Sequence, residues 1–402
     1  MLERGTYMTK LSLPAAVAVL AFAASASAQT YYDFLEQRNV PHPFASLFQI
    51  EAGAIGTDAK DHDPDDTGDN AEVRGRDDEI SWDGRILYRN EAVGSRGGTL
   101  EAYGGRDGIF ASLHDSKLIG DETVTRFELR ARPWMFYRDG FYDDGELRKN
   151  GFYEGSDYEG YVGFGRAQDG LYVELGPYYR RHDFSRSNLT PVTFTIPDDF
   201  AAYGARLYLE QAMINYDRRR GAPRDGYALS LVGEREWNDS KDPFGTDQYS
   251  TELPRAVWRL RGRLDWYIPA SDSICWEVFA SGGWHDEKDR LQNTEGQRPL
   301  GSQWGDVQLR LRFHLGQSLT ITPFAHGQYS RVVDETGFDS TKDFFFGGGV
   351  ESYWHLGDSI SLHGWYSYLD NENRPSIRID RDVHGEHMFY LGMVVRFAST
   401  RR

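Results

Sequence analysis

The stretch AVWRLRGRLDWY, residues 256–267, separates cleanly into two faces. Trp258, Leu260, Gly262, Leu264 and Trp266 fall on one, and Arg259, Arg261, Arg263 and Asp265 on the other. A period of two is that of a β-strand, whose side chains alternate sides. The separation recurs in VQLRLRFHL (307–315), where Val307, Leu309, Leu311, Phe313 and Leu315 oppose Gln308, Arg310, Arg312 and His314. It recurs at 124–135, where Thr125, Phe127, Leu129 and Ala131 alternate with Arg126, Glu128, Arg130 and Arg132. Which solvent each face meets decides the fold. Were Arg259, Arg261 and Arg263 to face hydrocarbon, each would cost roughly 2–4 kcal/mol near a bilayer midplane, and the three on the order of 6–12 kcal/mol. That face therefore points to water or to partners. The apolar face is bracketed by aromatics: Trp258 and Trp266 are eight residues apart, as are Trp276 and Trp284. Eight steps on a strand tilted by roughly 40° span about 20 Å, close to the separation of the aromatic girdles of a membrane-spanning strand. A soluble sandwich would bury the leucines equally well but gives no reason for that bracketing.

Outward from these three stretches, alternation marks sixteen segments: 45–56, 79–90, 98–105, 107–115, 122–137, 156–166, 171–181, 202–215, 226–238, 255–268, 273–285, 304–315, 318–331, 343–355, 359–370 and 386–397. Short links (167–170, 269–272, 316–317, 357–358) follow even-numbered segments. Long links (57–78, 138–155, 182–201, 239–254, 286–303, 332–342, 371–385) follow odd-numbered ones, with the link after the third segment as the exception. Short turns at one end and long loops at the other predict an all-β, transmembrane antiparallel β-barrel of about sixteen strands, with periplasmic termini and long extracellular loops. The expected organisation is a signal peptide over 1–28, a short periplasmic segment over 29–44, the barrel over 45–397 and a tail over 398–402.

Composition agrees with this class. The chain has 402 residues, with 43 Gly, 57 aromatics (23 Phe, 24 Tyr and 10 Trp) and 1 Cys, and a formal net charge of -17. Beyond the N-terminal region no run of 18 apolar residues exists, which excludes a helical membrane protein. One cysteine excludes a disulfide framework and a cysteine-based metal cluster. The acidic balance argues against a general nucleic-acid binder. Residues 10–28 combine a basic start, an apolar core and Ala26-Ser27-Ala28 before Gln29, the pattern of a cleaved secretory signal.

The end of the last segment reads YLGMVVRF (390–397). Its Tyr390, Gly392, Val395 and Phe397 resemble the C-terminal assembly signal of Gram-negative outer-membrane β-barrels, the porin-like class. The resemblance implies insertion by the barrel-assembly machinery, in contact with outer-membrane lipids and lipopolysaccharide. Here ASTRR follows the aromatic, where many members end on it. GWYSYLDNENRPSI (364–377) is similar to the tail of porin-like and polysaccharide-export barrels, and YDRRRGAPRDG (216–226) to a turn of assembly-factor barrels. Both narrower kinships imply periplasmic domains, and only 29–44 precedes the first segment here.

Three sets of residues could carry chemistry. The expected lumen lining is Arg126, Glu128, Arg130, Arg132, Arg259, Arg261, Arg263, Asp265, Glu277, Arg310 and Arg312. It reads either as a basic ladder drawing anions through a constriction or as a cross-strand ion-pair lattice built with Glu277, Asp265 or Glu128. In DHDPDDTGDNAE (61–72), Asp61, Asp63, Asp65, Thr67, Asp69 and Glu72 stand at positions 1, 3, 5, 7, 9 and 12 of a calcium-loop register. Asp66 replaces the glycine such a loop needs, so a solvated acidic loop is the plainer reading of a weak calcium candidate. The histidines eligible for catalysis are His114, His285, His314 and His326, with His285-Asp286 and His326/Ser330 as conceivable pairs, but no spacing matches a hydrolase motif. Cys275 faces inward by alternation and reads as structural. No cofactor and no enzymatic activity are expected. The function that follows is a porin-like channel for small hydrophilic solutes, with loop 138–155 or 182–201 folded in as a constriction. An exopolysaccharide export barrel and an outer-membrane hydrolase are the alternatives.

Overall fold

The computed structural model describes residues 38, 40, 42–61, 78–93, 98–105, 108–115, 118–119, 123–138, 142–143, 146–147, 152–186, 190, 192–217, 221–240, 242–245, 250, 252–286, 302–333, 340–370 and 383–400. Among them are eighteen strands and no helix. In order these are β1 Phe44–Asp61, β2 Asp78–Val93, β3 Gly98–Gly105, β4 Gly108–Asp115, β5 Val124–Arg138, β6 Tyr142–Asp143, β7 Glu146–Leu147, β8 Phe152–Gln168 and β9 Leu171–Ser185. They continue as β10 Phe200–Asp217, β11 Ala222–Asn238, β12 Ala256–Ser271, β13 Ile274–His285, β14 Gln303–Leu315, β15 Leu319–Val333, β16 Ser340–His355, β17 Ile360–Asp370 and β18 Val383–Thr400. The β6–β7 pair is a small hairpin of its own. The other sixteen form one closed antiparallel barrel, in which each pairs with its neighbours in sequence and β18 pairs back onto β1. Each of the sixteen expected segments coincides with one barrel strand. Most strands run a few residues longer, because pairing continues past the point where the apolar alternation stops. The turn-like stretch 216–226 is mostly strand, with Asn215 opposite Asp225 and Asp217 opposite Ala222.

Alternation sorts the wall into two faces. On β9, Leu171, Val173, Leu175 and Tyr179 are exposed, while Tyr172, Glu174, Tyr178 and Arg180 are buried. On β12 and β13 the exposed set contains Trp258, Leu260, Trp266, Trp276 and Trp284. Large apolar side chains thus cover the outside, and most of the buried charged residues sit on the inside, which is the reverse of a soluble protein. The inner assignment follows from reach. Arg206 on β10 bonds Glu159 on β8, and Arg180 on β9 bonds Glu236 on β11, in each case passing over an intervening strand. Only the concave side permits that.

The barrel departs from a uniform cylinder in two places. The β3–β4 hairpin is only eight residues per strand, so among the described residues 78–85 of β2 are paired on the β1 side alone. Ile80 and Trp82 beside that gap are 81% and 76% exposed, well above the 53% of Trp258 on a fully paired strand. The β10–β11 hairpin bends inward. A register shift falls between Asn215 and Tyr216, and Gly226 has φ +107, a conformation in which a Cβ would run into the Met213 carbonyl.

Candidate functional site

The lumen is built from inward residues at every second position, and from β5 to β11 these residues pair densely with one another. Arg206 donates from Nε to Glu234 at 2.6 Å and from its two terminal nitrogens to Glu159 at 3.0 and 2.9 Å. Arg180 bridges Glu159 at 2.6 Å and Glu236 at 3.0 Å. Arg206 lies over the rings of Tyr161 and Tyr178, at 5.2 and 4.8 Å from their centroids. Glu174 is fully buried and accepts from Tyr161 at 2.8 Å, from Arg126 at 3.0 Å and from Tyr172. Charges removed from water this completely persist only when paired and hydrogen-bonded on all sides.

The expected lining residues sit in or beside this lattice. Arg126 binds Glu174, and Arg130 bridges Glu128 at 2.7 Å and Glu159 at 3.2 Å. Arg132 donates to Asp157 at 2.8 Å. Arg259 meets Glu236 at 2.9 Å, Arg261 meets Glu234 at 3.3 Å, and Arg263 meets Asp265 of its own strand at 2.9 Å. Glu277 takes Arg310 at 3.1 Å and Arg312 at 2.8 Å, and Arg310 also reaches Glu351. Every one of these arginines therefore has a carboxylate. The partners of Arg259 and Arg261 are Glu234 and Glu236, on the neighbouring strand, where Glu234 lies directly opposite Arg259 and the other contacts are diagonal. Their signal was present in GEREWN (233–238), where both glutamates fall on one face.

One participant lies outside the barrel strands altogether. The segment before β1 enters the lumen, and Arg38 is buried there with its side chain at 0% exposure. Its guanidinium contacts Glu128 at 3.0 Å and Glu174, and it lies 4.8 and 5.0 Å from the ring centroids of Tyr161 and Tyr208. Its backbone N–H donates to the Tyr208 hydroxyl at 2.9 Å and to Glu210 at 2.8 Å, and its carbonyl accepts from Arg126 at 3.0 Å. Val40 then packs beside Ile214, Ala228, Tyr267 and Cys275 before the chain joins β1. This strap ties the β5–β10 wall to β1 across the interior. The inward-bent β10–β11 hairpin crosses from the other side. Pro223 and Arg224 offer their carbonyls to Arg312 and to the Cys275 thiol (3.6 Å). A Cβ on Gly221 at its tip would stand 2.7 Å from Phe44 Cζ. In the order of strands around the barrel, β1 and β11 are diametrically opposite, so strap and hairpin together span the end that carries Phe44 and Thr400.

At the other end the link before β10 packs inward through Phe194 and Ile196. Phe194 packs with Phe200, Ala202 and Tyr153 on the inner wall, and with Phe244 and Leu253 of the 239–255 link. Thr195 and Gly245 exchange two backbone hydrogen bonds at 2.8 and 2.9 Å. On β12–β15 the lattice continues through Arg259, Glu277, Arg310 and Arg312, whose side chains are 3–8% exposed, but two side chains stand out. There the side chains of Arg263 and Asp306 are 20% and 24% exposed, against 0% for Glu174.

Of the histidines, His326 contacts the Asp306 carboxylate, His314 is 3.0 Å from Thr320 Oγ1, and His285 Nδ1 is 2.9 Å from the Asp286 carbonyl. His114 is inward on β4, opposite Arg126. The side chain of Ser330 lies outside the described residues, as do residues 1–28 and the acidic run from Asp63 through Asp65, Thr67 and Asp69 to Glu72. Asp61 is the last residue of β1. On β18, Tyr390 turns inward and donates to Glu51 at 3.0 Å, its ring filling the space where Gly392 lacks a Cβ. Val395 lies opposite Ile50, and Phe397 points outward at 59% exposure.

The seam decides the class. β1 and β18 are paired from Phe44↔Thr400 to Asp61↔Val383, so the sheet has no free margin there. The chain folds as a Gram-negative outer-membrane β-barrel. No family model and no curated protein matches it. Among solved structures, the barrel is similar to BamA from Haemophilus ducreyi lacking POTRA domains 1-3, at 10% identity and TM-score 0.53, covering 89% of this chain and 71% of that one. It is also similar to CdiB from Acinetobacter baumannii, at 10% identity and TM-score 0.52, covering 87% of this chain and 60% of that one. Identities this low establish the shared barrel and nothing finer.

Proposed function

We propose that the protein is a narrow-bore outer-membrane channel for small hydrophilic solutes, with its termini at the periplasmic end. It would be delivered by its signal sequence and inserted by the barrel-assembly machinery, in contact with lipopolysaccharide and lipid. The observation that supports this reading is an unevenly filled lumen: an ion-pair lattice from β5 to β11 that continues into Glu277 and Arg310, beside the more exposed Arg263 and Asp306 side chains. A sixteen-stranded wall encloses an aqueous channel unless something fills it, and here strap, hairpin and lattice fill part of it. Size exclusion would then be tighter than in an empty barrel of this strand count. Because each lining arginine already has a carboxylate, selectivity would come from the less enclosed part of the lumen around Arg263 and Asp306 and not from a free basic ladder. A wide export conduit fits this interior poorly. No reaction is proposed, because the Asp306–His326 pair has no hydroxyl within hydrogen-bond reach of that histidine among the described residues.

Planar-bilayer recording on detergent-refolded protein tests this. Wild type should conduct in small steps. Arg38→Ala, which removes the guanidinium anchoring the strap, should raise the unit conductance several-fold. Silence in both proteins would refute a channel, and equal large steps in both would refute the narrow bore.

A further inference from the structure

The β3–β4 hairpin turns back at Gly105 opposite Gly108, with two residues between them, so neither strand can climb further. Its eight-residue strands, tilted by roughly 40°, rise only about 20 Å. Above it, among the described residues, β2 and β5 flank a window three strand spacings wide, or about 14 Å. The sequence of β5 suits such an edge. Its pairing with β4 stops at Ala131, and Pro133 follows inside a register shift against β8. Proline lacks the N–H that a ladder needs and is confined in sheets to edges, first residues and bulges. The outer frame of the window is oily: Ile80 and Trp82 on β2, Ile109 at the hairpin tip and Leu129 on β5 are all at least half exposed. The inner frame is polar. Arg85 donates to Glu51 at 2.9 Å, and Arg132 to Asp157 at 2.8 Å. Asp83 stands on the same face as Arg85, opposite Gly53 in register, and is half-buried with no hydrogen bond or ion pair among the described residues. With both arginines engaged, Asp83 leaves a negative charge behind the window.

We propose that this window is a lateral binding site for a cationic amphiphile of the outer leaflet, its ammonium head on Asp83 and its alkyl tail along Ile80 and Trp82. Backbone N–H and C=O groups on the two strand edges cannot be left to hydrocarbon, so the window holds water or a polar head. A carboxylate withdrawn from bulk water gains from a cationic partner. The apolar tail keeps its lipid surroundings and adds contact with the exposed Ile80 and Trp82 side chains. An anionic head is repelled by Asp83, and a cation without a tail gains nothing from the outer frame. The β1–β18 seam stays shut throughout. The outer-leaflet depth of the window rests on the membrane orientation proposed above, with the termini at the periplasmic end; conduction does not enter.

Photolabelling of the full chain in phosphatidylcholine vesicles reads this site without conduction. The probe is an alkyltrimethylammonium with a diazirine in its tail, and adducts are located by peptide mass spectrometry. In wild type they should concentrate in the stretches 80–86 and 127–133. Excess dodecyltrimethylammonium should reduce them about tenfold, which corresponds to roughly 1.4 kcal/mol, and dodecyl phosphate should change them by less than about twofold. Asp83→Asn should cause a loss of about tenfold as well, and Asp358→Asn, in the exposed bend between β16 and β17, should cause none. All variants should keep the heat-modifiable gel mobility of a folded barrel. If Asp83→Asn does not, Asp83→Ser takes its place, with the same loss expected. Adducts spread evenly over the lipid-facing strands, equal protection by dodecyl phosphate, or undiminished labelling in the folded Asp83 variant overturns the site. A silent bilayer with intact labelling would remove the channel and leave the window standing, and small conductance steps with even labelling would do the reverse.

Discussion

Arg206 is 1% exposed and is shared between Glu159 and Glu234. Removing one partner of such a buried group leaves the others charged and unpaired, at a cost of roughly 3–5 kcal/mol. Arg206→Ala should therefore lower the urea midpoint of the detergent-folded barrel markedly, while Arg181→Ala, whose partner Asp183 is as exposed as Arg181 itself, should leave it within about 0.5 kcal/mol. Equal midpoints would show that the lattice is not what stiffens the β8–β11 wall. At this scale, the inward orientation of Arg259, Arg261 and Arg263 was readable from alternation alone. Their partners were not, because a period of two says which face a residue is on but not which residue of the next strand it meets. Register supplies that, and register is a property of two strands together.

Two elements carry the shape of the lumen, one through backbone geometry and one through a pair of carboxyl groups. The β10–β11 hairpin leaves the wall at Gly226, whose φ of +107 no side-chain-bearing residue holds without strain. Gly226→Val should straighten or destabilise the hairpin, release Pro223 from Arg312, and increase proteolytic cleavage near residues 218–221; an unchanged digest would show that the bend does not depend on the glycine. At the opposite mouth the 186–199 and 239–255 links meet beside Asp198 and Asp242. A hydrogen bond donated by the protonated Asp198 carboxyl to the Asp242 carboxylate raises the Asp198 pKa above the ordinary carboxylate value. A pKa raised by docking means that the docked form binds the proton more tightly, so this contact is strongest in acid and is lost as pH rises through the docked-state value. Hydrogen exchange at the Thr195 and Gly245 amides should accordingly be slower, relative to the intrinsic rate, at acid pH than at neutral pH, and Asp242→Ala should abolish the difference. The bend and the docking were only partly legible. LTPVTFTIP (189–197) reads as apolar and inward-folding, but its neighbour is a second long link, distant in sequence.

For the whole molecule, closure is the property on which the rest depends. Antiparallel partners lie about 4.5–5.5 Å apart at Cα, within disulfide range. An Ala54→Cys/Leu391→Cys pair, opposed across the β1–β18 seam, should oxidise readily with full retention of conductance, because a channel in a closed wall needs no parting seam. Loss of function on oxidation, restored by reduction, would favour a protein that works by opening its side.

The strand number, the order of long and short links and the division of each strand into an oily and a charged face were all present in the one-dimensional pattern. Each is a consequence of alternation between two solvents, which acts residue by residue along a single strand. The occupancy of the interior was not. Nothing local distinguishes an arginine that lines open water from one locked between two glutamates of other strands, and nothing around Arg38 marks it as a lumen residue before β1 has closed against β18. Filling a barrel depends on distances across it, and those exist only once the sheet has closed.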